Sequence, residues 1–177
     1  MTRKQSATAL PVEEVFTFWD VLTQDEKSFI TNHYSIHHYN KNETIQCEGD
    51  EPTHLMVLAS GKVKVFKSGL ANRSQIVRML KPGENFGYRA IIANEKNSTT
   101  VTAFENSTVY MIRADIFLSI LRHNNAFCYR FLEELAFDLA ESDSRTVNLT
   151  QKHIRGRLAE SLLFLKDNYG FEEDQAT

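Results

Sequence analysis

The sequence lacks a basic surplus. Its 20 Lys and Arg stand against 23 Asp and Glu, a formal charge of −3 at pH 7, whereas proteins that neutralise nucleic-acid phosphates carry a positive balance. A DNA-reading unit is therefore not expected within these 177 residues. Cysteine is scarce: Cys47 and Cys128 lie far apart with no CxxC spacing. That leaves no sign of a disulfide framework or thiolate metal cluster and fits a reducing, cytoplasmic setting. No window approaches the roughly 20 apolar residues of a membrane span. Residues 1–9 hold Arg3 and Lys4 but no apolar core of signal length, so neither secretion nor a membrane association is expected. The six histidines, His33, His37, His38, His54, His123 and His153, are scattered. On a strand, His37 and His38 would face opposite ways and not share a metal. No Ser-His-Asp, Cys-His or paired-carboxylate arrangement stands out, so the chain is read as a non-enzyme with no metal and no resident cofactor.

What is present is an ordinary globular balance, 42% hydrophobic and 24% charged, enough for a core of its own. After a polar opening that ends at Pro11, Val12, Val15, Phe16 and Trp19 recur at helical spacing. Thr23 followed by Glu26 has the capping-box pattern, and Phe29 and Ile30 are the expected buried face of the helix it starts. From residue 34 to 113 the period shifts towards two, interrupted by turn signals at Asn40-Lys41-Asn42, Glu48-Gly49-Asp50, Ser68-Gly69 and Lys81-Pro82-Gly83. Residues 54–59, 61–66, 76–80 and 98–103 are short β-branched and aromatic runs. Several such strands at this spacing indicate an all-β roll or sandwich.

Glycine then disappears from Asp115 until Gly156. Phe117, Leu118 and Leu121 start a helical period that ends near His123, and a longer helix follows. Its residues Cys128, Leu132, Leu135, Leu139, Ser142, Thr146 and Leu149 alternate at steps of four and three, the seam by which one helix meets another. A helix lying on its own sheet is the plain alternative. About 25 residues at 1.5 Å rise give about 37 Å, longer than a small roll covers, which favours a two-fold homodimer held by Cys128, Leu132, Leu135 and Leu139. Thr150 is read as the N-cap of a last helix with Ile154, Leu158, Ser161, Leu162 and Leu165 on one face and Gly170 as its stop.

The order and spacing of the runs in residues 45–103, ending in Phe86-Gly87-Tyr88-Arg89-Ala90, resemble the cyclic-nucleotide-binding β-roll of the Crp/Fnr transcription regulators. The resemblance covers roughly residues 16–169 and stops where the family's helix-turn-helix would begin. It implies a mainly β fold with flanking helices (α+β): a cyclic-nucleotide-binding-like β-roll, a double-stranded β-helix or jelly roll, with N-terminal helices over 1–125. A dimerisation helix follows over 126–149, then a hinge and the first helix of an absent DNA-binding domain over 150–177. The implied function is effector sensing and dimerisation in a DNA-binding regulator. The implied partners are a second copy, DNA through the absent C-terminal domain, and RNA polymerase.

In that family a short helix after the Phe-Gly pair and one arginine hold the cyclic phosphate, and a glutamate holds the ribose. Backbone N–H groups and a guanidinium suit an anion. Gly87 and Ser98 match the pattern, but Tyr88 stands at the glutamate position and Asn97 at the phosphate-arginine position. Losing a charge-assisted contact of about 1.5–3 kcal/mol lowers affinity roughly tenfold to more than a hundredfold. The effector is thus a cyclic nucleotide bound weakly or another small anion. Arg89 offers a relocated positive charge, with a surface role as its plain reading, and Tyr88 a stacking or packing ring. Ser98 and Thr99 are equally readable as strand residues bonding neighbouring backbone. Ser142 and Asp143 fall where the dimerisation helix reaches the base. The alternative is a ligand-free interaction module whose pocket has degenerated, which Tyr88 and Asn97 support. Lys152, Arg155, Arg157 and Lys166 read as a solvated helix face.

Overall fold

Strand-forming runs occupy the middle of the chain and helices its two ends. The computed structural model describes residues 10–69 and 74–151, and beyond them residues 155, 156, 158, 159, 162, 163 and 166. The chain divides into two units, Met1–Arg130 and Phe131–Thr177.

The first unit opens with a short helix, α1 (Val12–Val15), and a 3-10 turn at Trp19–Val21, then α2 (Gln24–His33). The capping box forms as its spacing predicts: Glu26 N–H donates to Thr23 Oγ1 at 3.3 Å, and Thr23 N–H donates back to Glu26 Oε2 at 2.8 Å. Ile30 is buried as expected, but Phe29 is 47% exposed, because the helix turns it outwards against the His33 ring rather than into the core.

Eight strands follow: β1 (Ser35–Tyr39), β2 (Thr44–Gln46), β3 (His54–Ser60), β4 (Val63–Ser68), β5 (Ser74–Leu80), β6 (Asn85–Phe86), β7 (Thr100–Ala103) and β8 (Ser107–Arg113). They form two antiparallel four-stranded sheets, ordered β1-β8-β3-β6 and β2-β7-β4-β5. Met56, Leu58, Phe86 and Val109 of the first sheet meet Val63, Leu80 and Val101 of the second in a common core. Alternation then sends Leu55 and Val57 to the opposite face of β3. They are buried there as well, as are their register partners Ile112 and Tyr110 on β8. The apolar run in β3 is near-continuous because both of its faces are covered. The resemblance's β-roll is therefore the fold: antiparallel sheets with flanking helices.

The turn into β4 requires its glycine. Gly61 has φ +86°, and a Cβ there would lie 2.5 Å from the Asn106 carbonyl oxygen. Helix α3 (Tyr88–Ala93) interrupts the strands, and α4 (Ala114–His123) and α5 (Asn125–Gln151) close the described chain. Phe16, Phe18 and Phe117 surround Phe127, with ring centroids 5.5–6.2 Å from it. This aromatic cluster fastens the start of α5 to the N-terminal segment and to α4, at separations where aromatic rings attract.

In the second unit α5 continues without a break to Gln151, so Thr150 lies inside a helix and is not the N-cap of a new one. An N-cap residue has non-helical backbone, whereas Thr150 is itself helical. Most of the last-helix expectation, including Ile154, Ser161, Leu165 and Gly170, and with them Lys152 and Arg157, lies outside the described residues. Arg155, Leu158, Leu162 and Lys166 are helical and exposed.

Candidate functional site

Three segments converge at one end of the roll interior: β2 with the turn after it, the start of β3, and the stretch between α3 and β7. Backbone hydrogen bonds lock the first to the third. Asn97 N–H donates to the Asp50 carbonyl at 2.9 Å, and Gly49 N–H donates to the Asn97 carbonyl at 2.8 Å. Glu48 N–H donates to Thr100 Oγ1 at 3.1 Å, and Gln46 Nε2 to the Thr99 carbonyl at 3.3 Å.

Between these segments lies a cavity of about 120 Å³, whose lining includes Gln46, Asp50, Glu51, His54, Met56 and Asn97. Asn97 is 5% exposed, and its Oδ1 is buried with no hydrogen-bond partner among the described residues. Such an acceptor costs about 1–3 kcal/mol, unlike the great majority of buried polar atoms, which are paired. The ionised groups of the lining are carboxylates. No lysine or arginine is among the lining residues. Burial, helped by the charges of His37 and Arg113, lowers the His54 pKa from 6.5, with Asp115 opposing. His54 is therefore held in its neutral form near pH 7.

Gly87 adjoins this space. It takes a left-handed conformation, φ +83°, that opens α3. A Cβ on it would lie 2.8 Å from the His54 carbonyl oxygen, 2.8 Å from Met56 Cε and 3.5 Å from Gln46 Oε1. Gln46 and Met56 therefore already reach the ground in front of the turn.

Of the residues singled out from sequence, Asn97 is in the cavity lining, and Gly87 stands behind Gln46 and Met56, which also line it. Tyr88, Arg89 and Ser98 are not in its lining. Tyr88 is 1% exposed, a core ring, while Arg89 is exposed and makes no ion pair among the described residues. Ser98 is exposed and lies outside β7, which opens only at Thr100. Ser142 and Asp143 sit exposed on α5 in the second unit. On that helix Cys128 and Leu135 are half-buried, while Leu132 and Leu139 are 57% and 63% exposed. Gln46, Asp50, Glu51 and His54 were missed, because nothing local marks them. They reach the site through the pairing of Gly49 with Asn97, contacts 48 positions apart in sequence. Among the described residues no group of three or more His, Cys, Asp and Glu is placed to hold a metal ion, and no helix is long and apolar enough to cross a membrane.

Two antiparallel sheets enclosing a core, with a Phe-Gly turn opening a short helix against the roll interior, define the class. The cyclic nucleotide-binding domain family matches residues 36–124, and the chain belongs to that family. Among individual proteins it is similar to the cyclic AMP receptor protein of Thermus thermophilus, 26% identical over 144 residues, which cover 81% of this chain and 67% of the receptor. It is also 27% identical over 157 residues to a cGMP-dependent protein kinase of Toxoplasma gondii, but spans only 15% of that kinase's length. A solved structure from Eubacterium rectale, assigned to the Crp/Fnr family of transcriptional regulators, shares the fold. Its TM-score is 0.80 at 19% identity, over 89% of this chain and 74% of that one.

Proposed function

We propose that this domain senses a small effector in the cavity beside Gly87 and pairs two copies of the chain through α5, as the sensor part of a transcription regulator. DNA contact belongs to a further domain, RNA polymerase is a partner of the assembled regulator, and the setting is cytoplasmic. The observation that carries the pairing is the apolar face left in water on the 27-residue α5, where Leu132 and Leu139, seven positions apart on one side of the helix, are 57% and 63% exposed. At 1.5 Å rise this helix is about 40 Å long, and a self-complementary face of that length removes apolar surface from water when it meets its copy. Leu132, Leu135 and Leu139, with Cys128 at the near end, form the seam.

Light scattering tests it. The wild-type chain should have twice the mass of one copy, and Leu135→Asp should give a monomer that keeps its β-sheet circular dichroism. A monomeric wild type, or an unchanged mass for the variant, would refute the pairing.

A second reading, a ligand-free interaction module, draws on Gln46 and Met56, whose side chains lie in front of Gly87.

A further inference from the structure

We propose that the cavity beside Gly87 takes a soft metal ion, Cu(I), bound by the Cys47 thiolate, the Met56 and Met111 thioethers and the His54 imidazole. The proposal rests on the sensor reading above and deepens it by naming the effector's class.

Three observations carry it. The first is where the chain puts its sulfur. It has two cysteines and four methionines in 177 residues, and three of those six, Cys47, Met56 and Met111, are among the ten residues that line this one cavity. Methionine fills irregular core gaps wherever they fall. That use does not call for a cysteine and a histidine at the same cavity.

The second is register. Met56 and Met111 are direct partners across β3 and β8, so their side chains leave the same face of the sheet, with Cβ atoms about 4.5–5.5 Å apart. His54 lies two positions before Met56 on β3, and alternation turns it to that face as well. Its Nδ1 is engaged by Thr53 Oγ1 at 2.8 Å, which leaves Nε2 for a metal. A hydrogen bond on the far ring nitrogen is what orients a metal-bound imidazole. Cys47 directly follows β2, a strand of the other sheet, and its exposure gives an ion a way in.

The third is size and donor chemistry. A cavity of about 120 Å³ is well below the roughly 300–1,000 Å³ of pockets that enclose drug-sized ligands, but it is ample for an ion. No lysine or arginine lines it to oppose a cation. Zn²⁺ takes cysteine, histidine and carboxylate ligands, and Ca²⁺ and Mg²⁺ take oxygen, whereas thiolate together with thioether selects Cu(I). On binding, the Cys47 S–H bond breaks, its proton leaves to solvent and the thiolate electron pair forms the bond to copper, with no change of oxidation state.

The test is an oxygen-free nuclear magnetic resonance titration of the full chain, labelled at the methionine methyls, with Cu(I) supplied as its acetonitrile complex. Met79, on β5 and outside the lining, is the internal reference. The Met56 and Met111 methyl signals should move and saturate while Met79 stays still. Affinity is read by competition with bicinchoninate. Cys47→Ser and Met111→Leu, the second nearly volume-conserving, should each weaken it by at least the roughly tenfold that losing an orienting hydrogen bond costs a metal site. Met79→Leu should leave it unchanged. Met56 and Met111 signals that do not move, a Met79 signal that moves with them, or an affinity that survives both cavity substitutions overturns the proposal. Cyclic AMP is a separate arm, followed at the backbone amides of Gln46, Cys47 and Gly87. If it shifts them and Cu(I) leaves the methionines still, the effector's class was misassigned and the sensor reading stands. If neither ligand acts, the cavity is no effector site and the sensor reading falls with it.

Discussion

Asn124 and Glu26 hold the beginning of α5 to the beginning of α2. Asn124 Oδ1 accepts the N–H of Phe127 at 2.9 Å, the bond of an N-cap, while its Nδ2 donates to Glu26 Oε2 at 2.8 Å and to the Val21 carbonyl at 3.0 Å. Glu26 is itself the reciprocal partner of Thr23. One carboxylate thus serves two helix starts, and one carboxamide ties the helix proposed for pairing to the N-terminal segment.

Asn124→Ala should lower stability by about 1–3 kcal/mol, since it removes the cap and leaves two acceptors short of a donor. Asn124→Asp is the sharper variant. Aspartate caps as well as asparagine does, but it brings a second carboxylate against Glu26 in place of a donor. Urea unfolding should therefore find the aspartate variant well below wild type. Equal stability would mean that the bond to Glu26 contributes nothing.

Gly87→Ala should be destabilising by about 1–3 kcal/mol, from a left-handed backbone that alanine disfavours together with a Cβ 2.8 Å from the His54 carbonyl oxygen. Met56 Cε, also at 2.8 Å, is the end of a flexible side chain and can yield, but the carbonyl is fixed in β3. Thermal melts would measure the loss. A variant as stable as wild type would show that the turn has room the structure does not display.

Much of the fold was legible in the residues. The Thr23 and Glu26 pair marked a helix start because capping is local chemistry, and the glycines at 49, 61, 83 and 87 marked turns because each has positive φ. Phe29 misled because spacing says which residues share a face but not how wide the covered stripe is. Thr150 misled because a threonine that could cap a helix is also tolerated within one. For the candidate site, the resemblance singles out Gly87 and Asn97, whereas Asp50 and His54 depend on strand register and on a turn clasped from far along the chain. Local patterns do not encode that pairing.

Stability should rise with pH through the range around 6 on account of His54. Its pKa is lowered in the folded state by burial and by the neighbouring His37 and Arg113 charges, so the unfolded chain binds the proton more readily. The contribution is fully present above the ordinary value of 6.5 and is lost as pH falls below it towards the folded value. Melting midpoints measured from pH 7.5 down to about 5 should drop less steeply for His54→Gln than for wild type. Parallel curves would show that His54 is not coupled to folding.

Arg89 separates two ways of holding an anion. It is exposed, outside the cavity lining and without an ion pair among the described residues, so Arg89→Ala should leave stability within about 0.5 kcal/mol of wild type. Calorimetry against cyclic AMP and cyclic GMP is expected to give little or no heat below about millimolar ligand, because the affinity that a guanidinium lends to a phosphate is missing at Asn97. Micromolar binding that Arg89→Ala abolishes would place the phosphate on the outer side of α3, away from Asp50 and Glu51, and the cavity would then hold at most the base. Micromolar binding that survives the substitution would require the carboxylate-lined cavity to accept a phosphate without any positive side chain. That would leave the backbone N–H groups around Gly87 as its remaining source of attraction, and Gln46 and Met56 would have to move aside to expose them.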